Sequence, residues 1–197
     1  MIKKFRIIKF KTKPILELKK ISKSFSSRLV LNQVSFHVNR GEIFGILGPN
    51  GSGKTTLFNL ILGIVSTDSG KITINGENIN SFPIHVRCNN YKISYVPQNS
   101  GCLLGLSVES NLEAIAEIKI KDKVKRREII QELLARFDLE NIKNTQARLL
   151  SGGEKRRLAI SMALITKPNL LLLDEPFSAL DPLSVETIRK IVADLQQ

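Results

Sequence analysis

The sequence predicts an α/β fold, and three observations carry that expectation. A short apolar run enters a glycine-rich loop and leaves it as a helical pattern (Glu42 to Ile64), four leucines end in two acids (Leu170 to Glu175), and helical periodicity fills a block between strand-like segments (Ser107 to about Leu139). With 197 residues, 42% hydrophobic and 24% charged, the chain has material for one globular domain with a sizeable core. That balance excludes a disordered chain, a collagen-like repeat and a small disulfide scaffold.

The elements follow in order. Ile15 to Ile21 and Leu29 to Val38 alternate as strands do, clearest at Val34, Phe36 and Val38, so the chain opens on a hairpin or small antiparallel sheet. Glu42 to Leu47 reads as a short strand running into glycines, and Leu57, Leu60, Ile61 and Ile64 share one helical face behind them. Lys71 to Ile74 alternates and stops at Asn75-Gly76, a hairpin turn signal. Ile93 to Val96 is another strand, closed by Pro97. Ile129, Ile130, Leu133, Leu134 and Phe137 place a helical face in the middle block. Ser151 stands as the cap of a helix running toward Lys167, Leu170 to Asp174 as a buried strand, and Asp181-Pro182 as the start of a last helix with Val185, Ile188, Ile191, Val192 and Leu195 facing inward.

Charge is uneven. Thirty basic against eighteen acidic residues leave +12, and half of it sits in the first fourteen residues, which hold Lys3, Lys4, Arg6, Lys9, Lys11 and Lys13 with no acid. Residues 1–14 therefore read as a basic leader expected to be disordered, residues 15–197 as the folded domain, with a helical subdomain at about 99–165. Basic residues break up the leader's apolar ones, so it is no secretory signal, and no apolar run reaches membrane-spanning length. A second basic run, Lys119 to Arg127, reads as a solvated helix face. Cys88 and Cys102 are far apart, with no metal-ligand spacing, and read as thiols of a reducing compartment.

Gly48-Pro49-Asn50-Gly51-Ser52-Gly53-Lys54-Thr55 fits G-x-x-x-x-G-K-[ST], between a predicted strand and a predicted helix. Such glycines let backbone N–H groups converge on phosphates, and the helix N-terminus adds its positive dipole end. Lys54 would reach the β and γ phosphates, Thr55 would offer a hydroxyl to Mg²⁺, and Thr56 would reach the α phosphate. Asp174, at the end of the leucine strand, is placed to hold Mg²⁺, and Glu175 to polarise an attacking water. A nucleotide triphosphate site follows from these residues.

Leu150-Ser151-Gly152-Gly153-Glu154-Lys155, Gln98 after Ser94-Tyr95-Val96, and Ser178-Ala179-Leu180-Asp181 complete an ordered set. Together with the glycine loop, that set resembles the nucleotide-binding subunit of ATP-binding cassette (ABC) transporters, over Ile15 to Gln197. The resemblance implies a P-loop NTPase cassette with a mixed core sheet, an N-terminal antiparallel β subdomain and an inserted α-helical subdomain. It implies ATP hydrolysis by Glu175, Lys54 and Gln98, with Mg²⁺ on Thr55, Gln98 and Asp174. It further implies a homodimer formed on ATP binding, in which Ser151, Gly152 and Gly153 serve the partner subunit's ATP, with Asp181 a further nucleotide-site residue and Phe25 stacking on adenine.

Integral membrane subunits would be the other partners, near the loop Asn99 to Leu106, at the cytoplasmic face of the membrane. No nucleic acid is expected. Cassettes of DNA repair and chromosome structure carry long insertions between these motifs, whereas 52 residues separate Gln98 from Ser151 here. Within the family, Ser81 to Arg87, Ile93 to Gln98, Ser151 to Arg157 and Asp174 to Val185 are most similar to ATPases of lipopolysaccharide export, with branched-chain amino acid importers as the alternative. The family also carries a switch histidine about thirty residues beyond its catalytic Glu. This sequence runs 22 residues past Glu175, and His37 and His85 both precede the signature. Two expectations follow: a fragment of a longer product, or a shortened cassette that binds ATP with little hydrolysis. On either, an extended version would turn over faster.

Overall fold

A computed structural model describes residues 3–6, as backbone, and 14–196. The described residues divide into two compact units, those up to residue 93 together with 196, and residues 94–195.

In the first unit, β1 (Lys3–Arg6) lies antiparallel to β4 (Phe44–Leu47), with Lys3 opposite Leu47. For these four residues the expectation of a disordered leader does not hold. One aromatic, Phe5, among long basic side chains makes an acceptable edge strand, because edges tolerate lysine and arginine, and the count of charges alone concealed it. Residues 1, 2 and 7–13 lie outside the described residues.

The predicted opening hairpin is β2 (Pro14–Phe25) and β3 (Arg28–Asn39), antiparallel, with Leu16 opposite Val38 and Leu18 opposite Phe36. Helix α1 (Lys54–Leu62) follows the glycine loop, then β5 (Ser69–Ile74) and β6 (Glu77–Asn78). Sheet order is β3-β2-β5-β6. The β5–β6 turn is built as its sequence requires: Asn75 at φ 52° and Gly76 at φ 87° place two successive residues in the left-handed region. That is the primed hairpin geometry for which Asn-Gly is preferred. Ile15, Leu16, Leu18, Ile21, Leu57 and Ile72 are among the buried apolar residues of this unit.

Helix α2 (Ile84–Asn90) follows β6, and His85 is exposed on it. Arg87 is 2% exposed, and its guanidinium donates to the carbonyls of Phe82 (2.7 Å), Leu60 (2.7 Å), Ile61 (2.9 Å) and Asn80 (3.0 Å). Two of those carbonyls close the C-terminal turn of α1, where a cation complements the helix dipole. Removing Arg87 would take a charged donor from these carbonyls, at about 1–3 kcal/mol for each one left unsatisfied, while Leu60 O would keep the Gly63 N–H at 3.3 Å.

In the second unit, β7 (Ile93–Val96) pairs with β8 (Leu170–Leu173), and the helices are α3 (Val108–Lys119), α4 (Lys123–Arg136), α5 (Gly152–Leu164) and α6 (Pro182–Asp194). The predicted helical block is thus two helices. Asp122 divides them by capping α4, its carboxylate accepting from the N–H groups of Val124 and Lys125. Leu112, Leu134, Phe137, Leu158, Ile160 and Ile188 belong to one buried apolar cluster. Lys119, Lys121, Lys123, Lys125 and Arg127 lie exposed, as a solvated face should.

Candidate functional site

The glycine loop belongs to the first unit. Gly53 caps α1 at φ 95°, a conformation that side chains rarely adopt, and no side chain caps this helix. A Cβ on Gly53 would fall 2.9 Å from Leu31 Cδ2 and 3.1 Å from Val30 Cγ1, so the loop must be bare to lie against β3. Gly48 is bare for a similar reason: its Cβ would stand 2.6 Å from Ser52 Oγ.

Lys54 folds back over the loop, its Nζ donating to Gly48 O at 2.9 Å and Pro49 O at 3.1 Å. Ser52 Oγ is buried with no hydrogen-bond partner among the described residues. A helix N-terminus with no side-chain cap, an orphaned hydroxyl and a lysine on a flexible stem form a cradle that fits a chain of phosphates. Pro49, Asn50, Gly51 and Thr55 are exposed around it, and Thr56 half-buried.

Phe25, at the tip of the β2–β3 hairpin, is 45% exposed, with Lys23 Nζ 5.4 Å from its ring centre. Its ring is therefore surface-facing rather than core, as stacking on a base requires.

The second unit gathers the acidic residues. Asp174 is 3% exposed, its backbone N–H donates to Val96 O at 3.0 Å, and its Oδ2 accepts from the Tyr95 hydroxyl at 3.1 Å. Burial, with help from the Asp174 charge, pushes the Tyr95 phenol up to about 12, so Tyr95 is a donor throughout the neutral range. Glu175, at φ 46°, leaves the strand direction, and its Oε2 accepts from Gln98 Nε2 at 3.0 Å. The chain thus brings Gln98 and Glu175 together as side chains and Asp174 beside them in sequence. The oxygen donors of Asp174 and Gln98 suit a hard divalent cation such as Mg²⁺.

Ser151, Gly152 and Gly153 open α5. Ser151 and Glu154 form a reciprocal capping box: Ser151 N–H donates to Glu154 Oε2 at 2.7 Å and Glu154 N–H to Ser151 Oγ at 3.2 Å. Ser151 and Gly152 are exposed, while Gly153 is buried against Ser184. Asp181 caps α6, and bonds from Ser184 hold its carboxyl below the usual range.

Sequence reasoning missed two arginines, Arg87 and Arg156. Arg156 is 5% exposed and donates to Pro97 O (3.0 Å), Gln98 O (2.9 Å) and Glu175 O (3.4 Å). Burial lowers its pKa, and the Asp174 charge opposes that. A signal was available: Arg156 lies three residues after buried Gly153 and four before buried Ile160, on the inward face of α5. Its basic neighbours Lys155 and Arg157 conceal that signal in the sequence.

Residues 31–178 match the family described as ABC transporter. This chain belongs to the ABC transporter ATP-binding family. The cassette is 45% identical, over 92% of its length and 76% of the relative's, to the lipopolysaccharide export system ATP-binding protein LptB of Haemophilus influenzae. It is 41% identical to LptB of Escherichia coli K12 over 92% and 75%. Among solved structures it is similar to an ATP-binding cassette of an ABC transporter (TM-score 0.81, 28% identity, 94% and 78% covered). A dimeric post-hydrolysis cassette bound to ADP and phosphate is similar too (TM-score 0.78, 27% identity, 92% and 83% covered).

Membership makes the cassette an ATP-hydrolysing subunit that energises a membrane transporter, and the P-loop NTPase fold is the one expected. No helix among the described residues is long and apolar enough to cross a membrane.

Proposed function

We propose that this cassette hydrolyses ATP to drive lipopolysaccharide export, at the cytoplasmic face of a membrane. The observation that carries the substrate is the 45% identity to an LptB over most of both chains. Lys54 would leave Gly48 O and Pro49 O for the β and γ phosphates, a short move for a flexible stem. Ser52, Gly53 and the first turn of α1 would donate to the same phosphates. Phe25 would stack on adenine.

Thr55, Gln98 and Asp174 would hold Mg²⁺, which when bound neutralises charge on the phosphates. Glu175 would take the proton of the attacking water, with Gln98 fixing its carboxylate orientation. Two copies would close on ATP, Ser151, Gly152 and Gly153 of each reaching the other's nucleotide from the N-terminal end of α5, with Asp181 at the start of α6 as a further nucleotide contact. Similarity to a dimeric ADP-bound cassette supports that arrangement. The exposed leucines of the loop after Gln98, Leu103, Leu104 and Leu106, offer integral membrane subunits an apolar surface. Buried Asn111 holds that loop by bonding Leu103 N–H and the carbonyls of Leu103, Leu106 and Ser107.

The test is to recover the cassette with its membrane subunits in lipid vesicles and measure ATPase activity. Stimulation by lipopolysaccharide is expected. Stimulation by leucine, isoleucine or valine with a binding protein, and none by lipopolysaccharide, would overturn the substrate.

A further inference from the structure

We infer that Arg156 is a positioning residue for hydrolysis, joining the start of the signature helix to the backbone of both Gln98 and Glu175. The inference rests on the ATPase reading above. Arg156 lies one turn inside α5, behind the Ser151-Glu154 capping box. Its guanidinium reaches out of that helix to three carbonyls on two other segments: Pro97 and Gln98 after β7, and Glu175 after β8. The side chains of Gln98 and Glu175 meet each other directly. The pair is therefore held at both levels, side chain to side chain and backbone to backbone, and the backbone half runs through one buried arginine.

Nothing about helix formation requires this. A buried arginine is costly unless its donors are used, and its planar fork spreads donors over separate nitrogens that can reach acceptors on different segments, whereas the three donors of a lysine radiate from one nitrogen. Glu175 sits at φ 46°, and Ala179 at φ 58° follows in the same turn. Non-glycine residues stay in that region only where their surroundings hold them. The carbonyls that Arg156 engages also close these turns. Pro97 O accepts from Ser100 N–H at 3.2 Å, and Glu175 O from Ser178 N–H at 3.1 Å. A shift of α5, whose N-terminal residues belong to the signature, is thereby transmitted to the orientation of the Glu175 carboxylate.

The experiment uses the whole chain with Arg156→Met and Arg156→Lys, read by amide hydrogen exchange without nucleotide and by ATP binding and turnover. The Ser100 and Ser178 amides are expected to exchange about tenfold faster or more in both variants, with the amides of α3 and α4 unchanged. Unchanged exchange at Ser100 and Ser178, or acceleration spread evenly through α3 and α4, would overturn the inference. In turnover, kcat should fall about tenfold or more while ATP affinity stays within about threefold.

Because Arg156 acts through Glu175, adding Arg156→Met to Glu175→Gln should cost nothing further. Multiplying losses would contradict this, as would full recovery by Arg156→Lys. Should Arg156→Met fail to fold, Arg156→Lys decides by the same amides. If the unmodified chain hydrolyses no ATP, the functional reading fails, while the exchange result still decides the role of Arg156.

Discussion

Gln98 Nε2 donates to Glu175 Oε2 at 3.0 Å, joining the turn after β7 to the residue after β8. The sequence separates these residues by 77 positions, and pairing of two four-residue strands brings them together. A carboxylate held by an amide keeps its lone pairs in a fixed direction, which is what a base acting on one water needs. Gln98→Ala should therefore lower kcat more than it raises the KM for ATP, and steady-state phosphate release over a range of ATP concentrations measures both.

Gly53→Ala is expected to abolish ATP binding and to destabilise the fold. The new methyl would meet Leu31 and Val30 at a residue whose φ is 95°. Strain and overpacking together come to roughly 2–4 kcal/mol. Chemical denaturation gives the stability, and a fluorescent ATP analogue the binding. A variant as stable and as tight-binding as the parent would contradict the bare-loop account.

Lys54→Ala separates charge from fold. Lys54 Nζ bonds the carbonyls of Gly48 and Pro49 in its own largely exposed loop, so its loss should change the melting temperature of the nucleotide-free protein little. The rise in melting temperature on adding ATP should disappear, because the cation for the phosphates is gone. Differential scanning fluorimetry with and without ATP reads both.

Ser151→Ala removes half of the capping box and should cost about 1 kcal/mol. For a chain of this size that is roughly 2–4 °C in melting temperature. Glu154→Ala should cost a similar amount, and the double variant less than the sum, since each residue caps through the other.

The strands, the Asn75-Gly76 turn and the caps at Ser151 and Asp181 were legible because each rests on chemistry within a few residues: alternation, a left-handed pair, a side-chain oxygen over a helix start. The ordered motifs made the family legible in the same way. What was not legible depends on distant backbone. The pairing of β1 with β4 gives the leader's residues 3–6 a strand that their charge argued against. Arg87 and Arg156 are buried basic residues whose acceptors are carbonyls, and carbonyls leave no mark in a sequence. The orphaned Ser52 hydroxyl, too, is a property of the folded loop rather than of the motif.

Tyr95 gives a pH dependence whose sign can be worked out. Its pKa rises from 10.0 to about 12 in the folded chain, so the folded state holds this proton more tightly than the unfolded one. The resulting stability is fully present below pH 10 and is lost as pH rises from 10 toward 12. Tyr95→Phe should flatten the alkaline limb of stability against pH in that window and leave the neutral region without a new titration. An unchanged alkaline limb would mean that the Tyr95–Asp174 bond does not couple to folding.

Glu175 is proposed to act as the base of the ATPase and to contribute little to holding ATP. Phosphate release in a single turnover, measured for the parent and for Glu175→Gln at saturating ATP and Mg²⁺, tests it most directly. The account predicts that Glu175→Gln binds ATP with unchanged affinity and releases phosphate about a hundredfold or more slowly. Equal rates for the two proteins, or a loss of ATP affinity that matches the loss of rate, would contradict it.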